Sequence, residues 1–299
     1  MSTLLVTGGN GLLGSALARQ AAAAGHHVLA VSRGGPAYYT DAGARWYRAD
    51  LRDEAHVLRL IGESGPAAII HTAAMTDVDA CEVRPDEAWA TNVEATGYVA
   101  RAAREAGAYL VLLSSDYVFS GERGPYRESD PPGPALSVYG RTKLAAESLV
   151  LDGCPGAGVA RTSMLYGYAP HARPNFVTWL VGRLRSGQRV TVVTDQTGSP
   201  THAGNLADMI LAMVERRAPG IFHTAGPAWF SRFQYAGQIA ASFGLDPSLL
   251  APGRTSDLKQ PATRPAHSGL VTERVASELG VRPLPVAQGL AAVRAEMGG

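Results

Sequence analysis

Short apolar runs alternate with helix-like segments through the first half of the chain, the pattern of a parallel sheet with helices on both faces. Residues 4–7 predict a first strand, 15–24 the helix after it, 28–31 a second strand, 45–47 a weak third and 68–71 a fourth. Helices are expected over about 87–105, and residues 109–113 are a continuous apolar run of the kind buried on both faces of a sheet. Prolines at 131, 132 and 134 bar a helix interior, so 121–134 reads as a loop, and a helix follows over about 138–149. Beyond residue 151 the pattern loosens. Residues 159–162, 189–193 and 220–223 predict further strands, while 230–299 mixes helices with Pro-rich turns.

The turn after the first strand carries the first chemical signal. Thr7-Gly8-Gly9-Asn10-Gly11-Leu12-Leu13-Gly14 holds Gly-x-Gly-x-x-Gly between an apolar strand and an alanine-rich helix. Glycines let the backbone turn sharply and approach a pyrophosphate, whose charge then meets the helix N-terminus. The expected fold is therefore α/β, a doubly wound parallel (Rossmann) sheet with a smaller C-terminal substrate-binding domain. Residues 1–161 are assigned to the nucleotide-binding domain, with a return segment near 188–219, and 162–299 mainly to the part covering the carboxyl ends of the strands. At the end of the second strand, where a carboxylate would select NADH, stands Ser32-Arg33-Gly34-Gly35. A guanidinium there suits a 2′-phosphate, which favours NADPH. Asp50-Leu51, after the third strand, is placed near the adenine.

Composition narrows the class further. Of 299 residues, 46% are hydrophobic and 18% charged, with a formal net charge of +1. That balance fits a globular chain with a sizeable core, and it gives no basic excess for nucleic acid and no span for a membrane. Cys81 and Cys154 are too few and too far apart for a disulfide framework or a metal pair, which fits a reducing cytoplasm, and the His residues form no metal-ligand cluster. Lysine occurs twice, at Lys143 and Lys259, in a chain with 27 basic residues.

One of those lysines lies four residues after Tyr139, one helical turn away on the same face. With eleven tyrosines and two lysines in the chain, Tyr-x-x-x-Lys is a rare coincidence. A phenol is a poor proton donor or acceptor near neutrality, and an adjacent ammonium stabilises its phenolate. Ser114-Ser115 ends the buried strand; Ser115 is the preferred hydroxyl for sharing charge on a carbonyl oxygen with Tyr139. Ser115, Tyr139 and Lys143 are thus the candidate catalytic residues.

Together the glycine turn, Ser115 and Tyr139-x-x-x-Lys143 resemble an extended short-chain dehydrogenase/reductase, and within that group the dTDP-4-dehydrorhamnose reductase family. The resemblance spans nearly the whole chain, through Ala73-Ala74-Met75-Thr76-Asp77-Val78-Asp79, Ser115-Asp116-Tyr117-Val118-Phe119, Arg161-Thr162-Ser163, Asp195-Gln196-x-Gly198-x-Pro200-Thr201 and Arg264-Pro265-Ala266. It implies reduction of a dTDP-linked 4-keto-6-deoxy sugar by NADPH. Gly8, Asn10, Gly11, Leu12, Leu13, Gly14, Ser32, Arg33, Asp50, Leu51, Thr72, Ala73 and Ala74, with Tyr139 and Lys143, would hold the cofactor. Thr76, Val78, Tyr117, Met164, Asn175, Phe176 and Arg264 would meet the substrate, the last two suited to a base and a diphosphate. Asp116-Tyr117 replaces the Asp-Glu pair of related dehydratases, and Met164 replaces the family's Trp beside the sugar.

Two further readings stand beside this one: a non-catalytic NADP-binding regulatory subunit of the same fold, and a reductase or epimerase for a different activated sugar. A homodimer is compatible with the sequence. Trp46, Trp89, Trp179 and Trp229 are expected in the core. His202 is a candidate for the cleft wall, His26-His27 reads as a polar turn, and His223 as the end of a strand.

Overall fold

The computed structural model describes residues 1–34 and 43–298; Gly35 of the Ser32 to Gly35 stretch lies outside the described residues. In chain order the elements are β1 (Thr3–Thr7), α1 (Leu12–Ala23), β2 (His27–Ser32), β3 (Ala44–Arg48), α2 (Glu54–Ser64), β4 (Ala68–His71), α3 (Val78–Val83), α4 (Pro85–Trp89), α5 (Ala95–Glu105), β5 (Tyr109–Ser115), α6 (Val138–Gly153) and β6 (Gly158–Thr162). After these come β7 (Leu165–Tyr166), α7 (Phe176–Arg185), β8 (Val190–Val193), β9 (Thr197–Gly198), β10 (Thr201–His202), α8 (Ala203–Arg216), β11 (Gly220–His223), β12 (Phe230–Ser231), α9 (Arg232–Phe243), β13 (Leu250–Gly253), α10 (Glu273–Leu279) and α11 (Val286–Glu296).

Seven strands form one parallel sheet in the order β11-β6-β5-β4-β1-β2-β3. Its strands read as unbroken apolar runs because both faces are covered. Leu4 and Val6 join a core with Leu17 and Ala21 of α1 and Leu206, Ile210 and Met213 of α8. Leu5, between them, points the other way, into a core with Ile61 of α2, Val99 and Ala103 of α5 and Ala146 and Val150 of α6. The two-residue period of a strand thus feeds both layers. A third core, with Leu180 and Leu184 of α7, Ile239 and Phe243 of α9 and Leu290 of α11, belongs to the C-terminal elements.

β1 pairs with β2 on one side and β4 on the other, which makes the crevice above β1 and β4 the point where the strand order reverses. Several elements depart from the sequence expectation. α1 starts at Leu12, directly on the glycine turn, because Gly11 takes the extended N-cap conformation. α2 was not anticipated, although Asp53 caps it through the His56 N–H at 3.0 Å and Gly65 ends it in the left-handed region. The helical stretch before β5 begins near Val78 and passes through a π-turn at Ala90–Glu94. The strand expected at 189–193 forms, but it pairs with β13 outside the main sheet; the chain returns to that sheet through α8 and β11.

The tryptophan expectation is corrected as well. Trp89, Trp179 and Trp229 are 45%, 40% and 44% exposed, so they are not core residues. Trp229 packs its ring against Gly269 and donates its indole N–H to the Leu270 carbonyl at 3.0 Å, which holds the ring at the surface. Trp46 is partly buried and donates to Ser32 Oγ at 2.7 Å.

Candidate active site

A cavity of about 780 Å³ opens at the carboxyl ends of the central strands. The glycine turn forms one wall. Gly8 has φ +70°, a conformation L side chains avoid, and a Cβ there would lie 2.7 Å from Thr72 Oγ1 and 2.9 Å from the Ala73 nitrogen. A Cβ on Gly14 would strike the Gly8 carbonyl oxygen. The backbone is drawn this tight, with Gly11 N–H on the Gly8 carbonyl at 2.8 Å, so that the first turn of α1 faces the cavity through bare amides. These are the features a dinucleotide pyrophosphate requires.

A buried relay under this turn fixes the crevice, and the sequence reading missed it. Thr7 Oγ1 accepts the N–H groups of Thr72 and Ala73 at 3.1 and 3.2 Å and bonds to His71 Nδ1 at 2.8 Å. His71 Nε2 meets Thr96 Oγ1 at 3.0 Å, and that hydroxyl donates to the Asn92 carbonyl at 2.7 Å. With Thr7 accepting twice, its proton goes to Nδ1, so the network assigns the ring proton to Nε2. Burial, helped by the Lys143 charge, pushes His71 down to about 3, so the ring stays neutral at any working pH.

α6 carries the proton chemistry. Ser137 caps it by accepting the Gly140 N–H at 3.1 Å, and Gly140 lets the helix press against the Tyr117 carbonyl. Tyr139, Lys143 and Glu147 then follow at intervals of one turn on one face. Tyr139 lies on the cavity wall with its ring edge-on to Tyr117, centroids 5.6 Å apart. Burial pushes its phenol well above the ordinary value, and the Ser115 hydroxyl opposes that shift. The expected depression by the ammonium is therefore not what governs the phenol: desolvation wins and Tyr139 remains protonated. Lys143 is 4% exposed, behind Tyr139; burial lowers it to about 8, with Glu147 working the other way. Glu147 is itself bound at both oxygens by Arg161, at 2.9 and 2.6 Å, in a pair shielded from water.

Ser114 and Ser115 both reach the cavity from the end of β5, but only Ser115 is tied into the site. Its hydroxyl donates to Asp116 Oδ1 at 2.9 Å and accepts the Tyr117 N–H at 3.2 Å. Asp116 also takes Ser163 Oγ at 2.7 Å and Ser268 Oγ at 2.5 Å, hydroxyls from three separate segments on one carboxyl. Burial raises its pKa and these hydroxyls pull it back.

Every cofactor residue expected around the glycine turn, at Ser32 and Arg33, at Asp50 and Leu51, and at Thr72, Ala73 and Ala74 lies on the cavity wall. Asp50 is engaged by Arg52 at 2.6 Å, which lowers its carboxyl to about 2 and keeps it ionised. Ser32 Oγ is taken by Trp46. Of the substrate residues, Thr76, Val78, Tyr117, Met164, Asn175 and Phe176 line the cavity. Asn175 spends its side chain on capping α7 and on the Gly167 carbonyl at 2.8 Å, so it positions the wall rather than offering a free donor.

Arg264 is the exception. Its guanidinium forms two bonds to Asp79, at 3.1 and 2.7 Å, and one to the Ala262 carbonyl at 3.0 Å, and it is absent from the cavity wall. An acidic first turn in α3 captures it. His202 is corrected too: it caps α8 and packs edge-on to Tyr166, 5.7 Å away, and is not on the wall. Lys259 is exposed.

In place of Arg264 the wall carries Arg173, Arg232 and Tyr235, which sequence reasoning did not select. The Ser231 to Gln234 capping box marks where α9 begins and so where Arg232 falls, but in so Arg-rich a chain residue type alone gave no reason to choose it. Among the described residues no cluster of His, Cys, Asp and Glu could hold a metal, and no helix is long and apolar enough to cross a membrane.

This geometry agrees with comparisons to known proteins. The family described as RmlD substrate binding domain matches residues 1–298. The dTDP-4-dehydrorhamnose reductase of Mycolicibacterium smegmatis is 36% identical over 285 residues, covering 94% of this chain and 81% of its own. The bovine methionine adenosyltransferase 2 subunit beta is 34% identical over 278 residues, covering 91% and 81%. Among solved structures, dTDP-4-dehydrorhamnose reductase of Bacillus anthracis in complex with NADP superimposes with a TM-score of 0.85 at 28% identity, over 99% of each chain. The chain belongs to the RmlD substrate-binding family and is an oxidoreductase of the extended short-chain dehydrogenase/reductase type.

Proposed function

We propose that the protein reduces the 4-keto group of a dTDP-linked 6-deoxy sugar with NADPH. The observation that carries this reading is a half-buried phenol, Tyr139, sharing a cavity wall with the glycine cradle and with the Ser115 hydroxyl, where burial favours its protonated form. The cradle fits a dinucleotide, since the missing Cβ atoms of Gly8 and Gly14, which would strike Thr72 and Ala73 or the Gly8 carbonyl, let the turn close tightly and present the first amides of α1 to a pyrophosphate. Arg33, and the lack of a carboxylate at Ser32-Arg33-Gly34, support the phosphorylated form of the cofactor.

When bound, the reduced nicotinamide supplies a hydride to the carbonyl carbon. Tyr139 donates its proton to the carbonyl oxygen as charge builds there, which completes the alcohol. The Ser115 hydroxyl rests its proton on Asp116, and turning that proton toward the substrate oxygen shares the developing charge. Lys143, whose charge Glu147 supports against the cost of its burial, lends positive potential near the phenol that has just lost its proton, although it does not itself line the cavity and so is not placed against a cofactor ribose. Thr76, Val78, Tyr117 and Met164 border the sugar, with Met164 setting a more adaptable wall than an aromatic ring would. A complete proton-donor set supports turnover over a purely binding role.

Substituting Tyr139→Phe is expected to lower turnover by about 10³-fold or more while NADPH affinity changes little, read by NADPH oxidation with dTDP-4-keto-6-deoxyglucose and by fluorescence titration. Undiminished turnover would remove the assigned donor.

A further inference from the structure

Of the four arginines on the cavity wall, Arg52 is paired with Asp50 and Arg173 with Asp77, whereas Arg33 and Arg232 form no ion pair among the described residues. The two unpaired cations stand apart. Arg33 follows β2, on one side of the switch point. Arg232 lies beside Asp116 and Tyr117, past the end of β5, with β1 and β4 between those strands. A cleft with one unpaired guanidinium on each side is suited to two separate anions.

Arg232 is held firmly. It is the first residue of α9, behind a cap closed in both directions by Ser231 and Gln234, and its backbone N–H donates to the Gln196 carbonyl at 2.9 Å. Its guanidinium lies 5.6 Å from the centre of the Phe176 ring and makes no hydrogen bond among the described residues. The nearby acid that feels its charge, Asp116, is already saturated by three serine hydroxyls. A partly buried guanidinium gives up water without recovering it elsewhere, so its fork of donors is free to meet an oxyanion in the cavity. The cation–π contact with Phe176 restrains where that fork sits, and its paired donors are the kind that bind two oxygens at once.

We infer that Arg232, braced on Phe176, is the receptor for the diphosphate of the substrate, the part assigned from sequence to Arg264. The inference rests on the reading of the substrate as nucleotide-linked. A neutral deoxysugar offers only hydroxyls and a carbonyl, so the carrier's diphosphate is the substrate group whose charge and paired oxygens match a planar cation. Arg264 cannot serve without giving up its two bonds to Asp79. With the diphosphate over Phe176 and Arg232, the sugar extends past Tyr117 and Met164 toward Tyr139, all of which share the same wall.

Calorimetry with dTDP, UDP, thymidine and NADPH, each alone, tests this on the wild type, Arg232→Ala and Arg232→Lys. Arg232→Ala is expected to weaken dTDP by about 10- to 100-fold, to leave thymidine and NADPH unchanged, and to flatten the salt dependence of dTDP binding; Arg232→Lys restores part of the affinity. Equal dTDP affinity in wild type and Arg232→Ala overturns the assignment while leaving the proposed function standing. Equal losses for thymidine and dTDP also overturn it, since the residue would then only pack. A wild type that binds neither dTDP nor UDP removes the nucleotide-linked reading and this receptor together.

Discussion

The two ends of the cavity are built in different ways. At the end proposed for the cofactor the wall is mostly backbone: a glycine turn, the first amides of α1 and the Thr72 to Ala74 strand end, the last locked to Thr7 and His71 of the main sheet. At the end proposed for the substrate it is side chains, Tyr117, Met164, Phe176, Arg232 and Tyr235, brought in by separate segments after β5, β6, β7 and β12. A backbone-built site depends on conformation, which few residue types can adopt. A side-chain-built site depends on which neighbour each group happens to engage, as Arg264 and Asp79 show.

The sharpest way to separate the two ends is Gly14→Val. The new Cβ collides with the Gly8 carbonyl, so NADPH affinity is expected to fall by roughly 100-fold or more, while dTDP affinity stays within a small factor of wild type. A parallel loss of both ligands would mean the ends are not independent. Next in size is Arg33→Ala, expected to weaken NADPH by about 10- to 100-fold and NADH hardly at all, since only one cofactor carries the 2′-phosphate. Equal losses in competitive binding would detach Arg33 from that phosphate.

A third test concerns stability. The Lys143 amine titrates near 8 in the fold against an ordinary 10.5, so between those values the unfolded chain holds more protons. Folding stability from this group therefore rises with pH through that window, and below about pH 8 the cost of burying the charge is fully present. Lys143→Met is expected to raise the melting temperature at pH 7 by a few degrees, to narrow that gain toward pH 10, and to abolish turnover. A melting temperature lowered equally at both pH values would contradict it. The smallest effect belongs to Arg264→Ala: a stability loss of about 1 kcal/mol in urea unfolding and at most a roughly twofold change in dTDP affinity. A large loss of dTDP affinity would return the diphosphate to Arg264.

The same contrast explains what could be read from the chain. The glycine turn and the Tyr139 to Lys143 spacing are local, and the alternation of Leu4, Leu5 and Val6 between two cores is what a parallel sheet requires; none needs knowledge of distant partners. The Asp116 cluster draws on residues 115, 163 and 268, and the His71 relay on 7, 71, 92 and 96, so no short window contains either. Tryptophan misled for a related reason: hydrophobicity predicts burial, but a ring can rest on Gly269 with its N–H satisfied and still face water. Strand 190–193 was recognisable as a strand, yet its partner, sixty residues on, was not.

The single carboxyl of residue 116 ends up as a hinge pin between halves of the molecule. It grips the loop that supplies Ser268 and, through its other oxygen, the hydroxyl beside the proton donor. Any displacement of that loop is therefore felt at the carboxyl that also holds the Ser115 hydroxyl. One side chain thus couples the C-terminal segment to the aim of a hydroxyl at the end of the central sheet.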